Sequence, residues 1–385
     1  MLYETKPLGE VCDIIGGGTP SREKPEYFTG EVPWATPTDI TALNGKKFIT
    51  DTKEHITQNA IENSSTRLIP AGSVLMTSRA TIGYTAINER PMCTNQGFAS
   101  FVPNSEVYNL YLAYYLESIR DLLIQRAGGT TFKEISKSEL RKTSIPIPPL
   151  KEQTMIASNL QKVNNAIERD NRVLQISKSY PLSLLNKMFT SMKTDEPQIV
   201  QLKEVCDIFD RDHRTPAYTE DGIPLISPAN FVPEGINIEN VKHISRGDFE
   251  VEKRKCNPKK GDILFSRIGT IGEVRYAPDI DFIPLHSIAV IRAHPERISH
   301  VYLYYVLQTD DVINQAFAGV QSIGVPDLGL KKIENIEIPL PSLVNQERFA
   351  KYMRAFESIR KRQIQSAEKL DLLFASLSNK YFNIS

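Results

Sequence analysis

The chain repeats itself. Leu8-Gly-Glu-Val-Cys-Asp-Ile14 returns as Leu202-Lys-Glu-Val-Cys-Asp-Ile208, and Ile145-Pro-Ile-Pro-Pro-Leu-Lys-Glu-Gln153 returns as Ile338-Pro-Leu-Pro-Ser-Leu-Val-Asn-Gln346. The two pairs lie 194 and 193 positions apart in 385 residues, so half of the chain is a copy of the other half. That spacing is far longer than the roughly 20–50 residues of a solenoid repeat and fits two whole domains in tandem. A single chain with two similar surfaces suits a ligand that has two recognition points.

Each copy is long enough to bury its own core. With 41% apolar and 24% charged residues, the composition is that of an ordinary soluble protein. No apolar stretch reaches the length of a membrane span, and the first residues lack a signal-peptide core, so a cytoplasmic protein is expected. Cys12 and Cys206 fill the same slot of the two copies, and neither they nor Cys93 and Cys256 form a CxxC pair. They read as small buried side chains, with no disulfide or metal role.

The net charge is zero, but it is segregated. Residues 151–190 hold six Lys or Arg against three acids, and residues 344–383 hold eight against four. The remainder is therefore acidic by the seven charges that these segments have in excess.

Each copy divides into a turn-rich mixed part and a helical part. Residues 1–147 and 193–340 are the two mixed domains, and 148–192 and 341–385 the two long helical segments. Val74–Met76 and Gly97–Val102 are short apolar runs bounded by turns and predict strands, as do Asp262–Phe265 and Ser287–Ile291. Thr81-Ile-Gly83 matches Thr270-Ile-Gly272 as a glycine turn. Tyr111–Leu116 and Tyr302–Leu307 predict one helix per copy.

The long helices should start after the proline clusters at Pro146, Pro148 and Pro149 and at Pro339 and Pro341, because proline suits an extended entry and a first helical turn. Ser342 is a candidate N-cap. Ile156, Leu160, Val163, Ile167 and Leu174 form an apolar stripe on steps of three and four in the first segment. Phe349, Met353, Phe356, Ile364, Ala367, Leu370, Phe374 and Leu377 form one in the second. Pro181 should kink or restart the first helix. A segment of about 40 residues spans on the order of 60 Å, and neither can bury its stripe alone. An antiparallel, coiled-coil-like pair with a mixed domain at each end and an internal pseudo-twofold is therefore expected, an α+β architecture with curved sheets.

Catalytic motifs are missing. There is no phosphate-binding GxxxxGK[ST] loop, and Gly16-Gly-Gly18 runs into Thr-Pro rather than a helix, which predicts a flexible turn. An enzyme that methylates the amino group of a base needs an Asn/Asp-Pro-Pro-aromatic motif, whereas Pro148-Pro149 is followed by Leu150. The six histidines form no HxxxH or HExxH pair, so no metal is expected.

Together, Gly17-Gly-Thr-Pro-Ser21, Val32-Pro-Trp34, Asp39-Ile40, Asn95-Gln-Gly-Phe98, Ile147-Pro-Pro-Leu-Lys-Glu-Gln153 and the duplication resemble the specificity subunit of type I restriction-modification systems. The second copy departs from that pattern at Ser342 and Asn345, and Asp210-Arg-Asp-His-Arg-Thr-Pro216 replaces the glycine loop. The resemblance implies two target recognition domains, each reading half of a split double-stranded DNA site. It also implies helices that dock two adenine methyltransferase subunits, which motor-nuclease (restriction) subunits join. No cofactor is expected in this chain, with S-adenosylmethionine, ATP and Mg on the partners. The alternatives are a helical scaffold that reads no sequence and, least favoured, a self-contained methyltransferase or nuclease.

If the two halves read different sequences, shared residues serve fold or backbone contact and divergent loop residues serve base readout. Ser78-Arg79 and Ser266-Arg267 appear as a shared arginine beside a glycine turn, suited to a phosphate or a guanine edge. Asn95 and Gln96, which can pair with adenine, stand against Leu285 and His286. Thr130, Thr131 and Lys133 stand against Gln321 and Ser322, and Ser21, Arg22 and Lys24 against Arg211, His213 and Arg214. Trp34, in an apolar run, is expected in the core. If the helices act as a ruler, shortening both by about four residues, one turn, changes the gap between half-sites and leaves both halves intact. Sequencing of methylated adenines reads this directly, and an unchanged gap sinks the ruler.

Overall fold

The computed structural model describes residues 3–129, 133–177, 179–191 (189–191 as backbone only), 197–211, 217–233, 235–318 and 325–382. The chain divides into two compact units, Met1–Gln175 with Arg362–Ser385, and Ile176–Lys361.

Among the described residues, the first unit is organised on a five-stranded sheet. Its order is Cys12–Gly16, Phe98–Pro103, Val74–Thr77, Thr85–Asn88 and Phe48–Ile49. The first four strands pair antiparallel, and the last joins parallel. A smaller sheet places Val32–Ala35 between His55–Ile56 and Cys93–Thr94. The strand Thr5–Pro7 pairs with Ser144–Pro146 and closes the unit's two ends together. The core lies where the main sheet meets the helix Asn109–Ser118, with Val74, Met76, Phe101, Tyr111 and Leu112 all buried.

The second unit repeats the scheme in its own right. Cys206–Phe209, Ile288–Ala293, Ile263–Ser266 and Val274–Tyr276 form its main sheet in the matching order. Ile223–Ile226 sits between Lys242–Ile244, antiparallel, and Ile283–Pro284, parallel. Gln198–Gln201 pairs with Glu337–Leu340. The strands and short helices expected from the apolar runs are present within a residue or two.

The long helices run Leu150–Ser177, Tyr180–Ser191 and Leu343–Phe382. They begin just past the proline clusters, and Pro181 stands at the restart. Ile156 and Leu160 are buried in the first unit's core, beside Phe382, and Met353 is buried in the second's, beside Leu185. Val163, Ile167, Leu174, Phe356, Ile364, Leu370 and Phe374 are half-buried. Phe374 packs on Tyr114 with ring centroids 5.8 Å apart. The compact units divide inside the helices, because each helical end is part of the core on which it rests.

One contact explains the repeated Pro-x-Leu-x-x-Gln text. Gln153 is fully buried in the first turn of its helix. Its Oε1 accepts from the Tyr108 N–H (2.8 Å), and its Nε2 donates to the Glu106 and Pro148 carbonyls (2.8 and 2.9 Å). Tyr108 is the N-cap of the helix Asn109–Ser118, so the amide satisfies a donor that the helix start leaves open. Gln346 does the same, taking the Ser299 N–H (2.8 Å) and donating to the Arg297 and Pro341 carbonyls (3.3 and 2.8 Å). Tyr111 and Tyr302 add hydroxyl bonds to Pro146 and Pro339 (3.0 and 2.6 Å). Replacing Gln153 by Leu keeps the volume and strands one buried N–H and two carbonyls. The expected loss is on the order of 3 kcal/mol, read as a lower urea midpoint with an unchanged slope.

Candidate nucleic-acid interface

In the first unit the loops at one edge of the two sheets carry the polar residues singled out above. The Gly16–Gly18 turn is pinned, not flexible. The Gly18 N–H donates to the Thr94 carbonyl (2.9 Å), and Trp34 Nε1 donates to the Gly18 carbonyl (3.0 Å). A Cβ at Gly17 would collide with the carbonyl oxygens of Thr94 and Asn95, so glycine is what lets the loop approach. The turn delivers Thr19, whose hydroxyl bonds Gln96 Oε1. Trp34 is buried with Tyr27, Ile56 and Cys93.

Ser21, Arg22 and Lys24 lie at the surface. Arg22 is not a bare cation. It makes a two-point pair with Glu54 (2.6 and 2.7 Å) and stacks over Phe28 at 4.2 Å. Lys24 Nζ donates to the Tyr27 hydroxyl (3.1 Å).

Arg79, Asn95 and Gln96 come together with Pro37, Ala80 and Gly97 around an open pocket of about 300 Å³. Asn95 Oδ1 accepts from the Gly97 N–H (2.9 Å), so part of that amide holds the turn. Gln96 is exposed, as is Lys133, whose carbonyl accepts from the Ala80 N–H (3.0 Å). Arg79 keeps a long contact with Glu134, 3.8 Å between charged atoms.

The two arginines expected to correspond do not. In the first unit the Ser78 N–H bonds the Gly97 carbonyl, the Ile135 N–H bonds the Ser78 carbonyl, and the Gly83 N–H bonds the Thr77 carbonyl. In the second, Arg267 bonds Ser287, Leu328 bonds Arg267, and Gly272 bonds Ser266 in the same pattern. Ala80 and Gly269 both adopt positive φ, 60° and 80°. Ser78 therefore matches Arg267, and Arg79 matches Ile268; the bridges Arg79–Glu134 and Ile268–Asp327 agree. Successive residues of an extended segment face opposite sides. Arg79 faces solvent and Arg267 faces inward.

Four residues expected at the DNA-facing surface lie inside instead. Arg267 is buried and clamps Asp210 (2.8 Å), Asp327 (2.9 Å) and the Leu328 carbonyl (3.3 Å). Ser266 is buried, its Oγ accepting from the Glu273 N–H (2.9 Å). Ser78 is buried and takes part through its backbone. Arg211 is buried and ion-paired with Glu252, with Nε 3.0 Å from Oε2. His286 and Leu285 are half-buried. Thr130, Thr131, His213, Arg214, Gln321 and Ser322 lie outside the described residues.

Glu54, Glu134 and Ile268 were missed. The signal for Ile268 was present: carried back without a gap, the Thr81-Ile-Gly83 and Thr270-Ile-Gly272 match pairs Arg79 with Ile268.

All four cysteines are buried without disulfide partners, and burial pushes each thiol up to about 12. They are not nucleophiles at neutral pH. Among the described residues no three His, Cys, Asp or Glu side chains gather to hold a metal, and no helix is long and apolar enough to cross a membrane. The two arginines should separate in a melting experiment. Arg267→Ala leaves Asp210 and Asp327 facing each other and should cost about 2 kcal/mol, the partial exposure of Asp327 limiting the loss. Arg79→Ala should stay within about 0.5 kcal/mol of the parent. Equal losses would contradict the inward and outward assignment.

Comparison with known proteins gives one consistent result. A sequence model described as the type I restriction modification DNA specificity domain matches residues 2–177 and again 194–369. The specificity subunit of the type I restriction enzyme MjaIX from Methanocaldococcus jannaschii is 29% identical over 364 residues, covering 88% of this chain and 83% of that protein. The EcoR124I/EcoR124II specificity subunit from Escherichia coli is 32% identical over 167 residues, 41% of this chain and 40% of the relative. The crystal structure of a type I S subunit from M. genitalium aligns over 99% of this chain and 96% of its own, with TM-score 0.61 at 15% identity, a likeness of fold.

Proposed function

Because the chain belongs to the type I restriction-modification DNA specificity family, with the family domain present twice, we propose that it is the sequence-reading subunit of such a system. It reads a bipartite double-stranded DNA target, one half per unit, and directs adenine methylation and restriction at that target by partner subunits. The single observation that carries this reading is the pairing of one shared strand scheme with two different sets of loop side chains. A scaffold that read no sequence has no need of such divergence on a retained frame.

The chain itself performs no bond chemistry in this reading. Two methyltransferase subunits dock on the helical parts, and restriction subunits join them. S-adenosylmethionine, ATP and Mg belong to those partners, and the assembly works in the cytoplasm. The exposed loops in turn contact DNA by two routes. Lysines and other cations position the protein on phosphates, and groups around the pocket meet base edges in the groove.

The test is an exchange. Replacing residues 8–144 by the matching stretch of another family member should alter one half of the methylated motif and leave the other. Sequencing of methylated adenines from cells carrying the complex gives the motif. If both halves change, the units do not read independently. A motif indifferent to the exchange would favour a scaffold.

A further inference from the structure

The register of the two units sets up a direct comparison of chemistry at one place. At position 79 and at position 268 the backbone is held alike. The residue before donates to the loop carrying Gly97 or Ser287, and the residue after donates to the segment carrying Lys133 or Pro326. The residue after also takes the left-handed conformation in both, Ala80 at the cost of some strain. On this common platform one unit places a guanidinium and the other a branched alkyl group.

We propose that positions 79 and 268 are one specificity-determining slot used twice, Arg79 reading a guanine edge and Ile268 the methyl group of thymine. The proposal rests on the DNA-reading function above and names the determinant within it.

Three observations favour a base over a phosphate. A phosphate contact is needed equally by both half-sites, since every base pair has the same backbone, yet isoleucine cannot make one. Next, Arg79 rises from a segment fixed by hydrogen bonds on both flanks, a rigidity that two parallel bonds to guanine O6 and N7 require and a simple charge contact does not. Last, its neighbours change in step. Asn95 and Gln96 stand beside Arg79, whereas the matching Leu285 and His286 stand in the unit that carries Ile268. An amide-rich surround suits polar base edges, and Leu285 in place of Asn95 puts an alkyl group at the matching position of the second unit.

The acid opposite the slot behaves consistently. Glu134 holds Arg79 at 3.8 Å with both side chains about half exposed, a pair that a base edge can displace at little cost. In the second unit the matching acid, Asp327, is instead paired with Arg267 at 2.9 Å, its own side chain about half exposed.

The experiment uses the complete complex carrying the parent chain, Arg79→Ile, Ile268→Arg or Ile268→Ala. The readouts are the motif of methylated adenines and the salt dependence of DNA binding. Arg79→Ile should relax one guanine position in one half-site, with discrimination there falling roughly 10- to 100-fold, and leave the other half unchanged. Ile268→Ala should relax one thymine position in the other half-site, and Ile268→Arg should shift that position toward guanine. If Ile268→Arg fails to fold, the alanine variant still decides the second arm. The proposal is overturned if Arg79→Ile keeps the motif and weakens binding to all sequences evenly, with the salt slope reduced by about one, the signature of a phosphate contact. Absence of site-specific methylation with the parent chain would instead remove the DNA-reading function itself.

Discussion

A buried amide at the first turn of each long helix sets the rest of the structure. Gln153 and Gln346 each tie three backbone groups at the junction of a proline-interrupted strand and two helices. Proline ends the strand because it has no N–H to offer the ladder, and it leaves carbonyls that need a donor. Only a side chain with both a donor and an acceptor can close such a junction, and a charged or aliphatic one cannot. The glutamine thereby fixes where the long helix leaves the globular part and how it meets the short helix before it. Tyrosine hydroxyls from that short helix donate to the prolines two residues upstream, Pro146 and Pro339.

With the frame fixed, the loops are free to differ. The two units share strand order, closing strand pairs and glycine turns at Gly83 and Gly272, both at positive φ. They differ in what the matched loop positions carry. The same two-residue alternation that makes a strand two-faced turns Arg79 outward and Arg267 inward. One arginine thus becomes a surface group and the other an internal clamp for Asp210 and Asp327. A one-residue offset in register reverses the role of a side chain entirely.

Much of the fold was legible in the sequence. The duplication, the apolar runs of the main sheets, the helix starts and the stripes on the long helices all depend on local pattern, and local pattern is what a sequence displays. The site was legible only in part. Arg79, Asn95 and Gln96 were identified from chemistry and do meet around one pocket. Arg211, Ser266, Ser78 and Arg267 have the same chemistry but are buried, and burial depends on what other segments bring. Glu252 reaches Arg211 from 41 residues away, and Asp327 reaches Arg267 from 60.

The sequence by itself determined that there are two copies, two matching apolar strands and one short helix in each, the long helices, and that the prolines and glutamines recur at each helix start. Periodicity and repetition need no knowledge of distant contacts. Only the tertiary structure decided which arginine faces outward, which glycine turn is pinned, and why the glutamine recurs. Each of those depends on hydrogen bonds between segments remote in the chain, and the partner of such a bond is set by packing rather than by neighbouring residues.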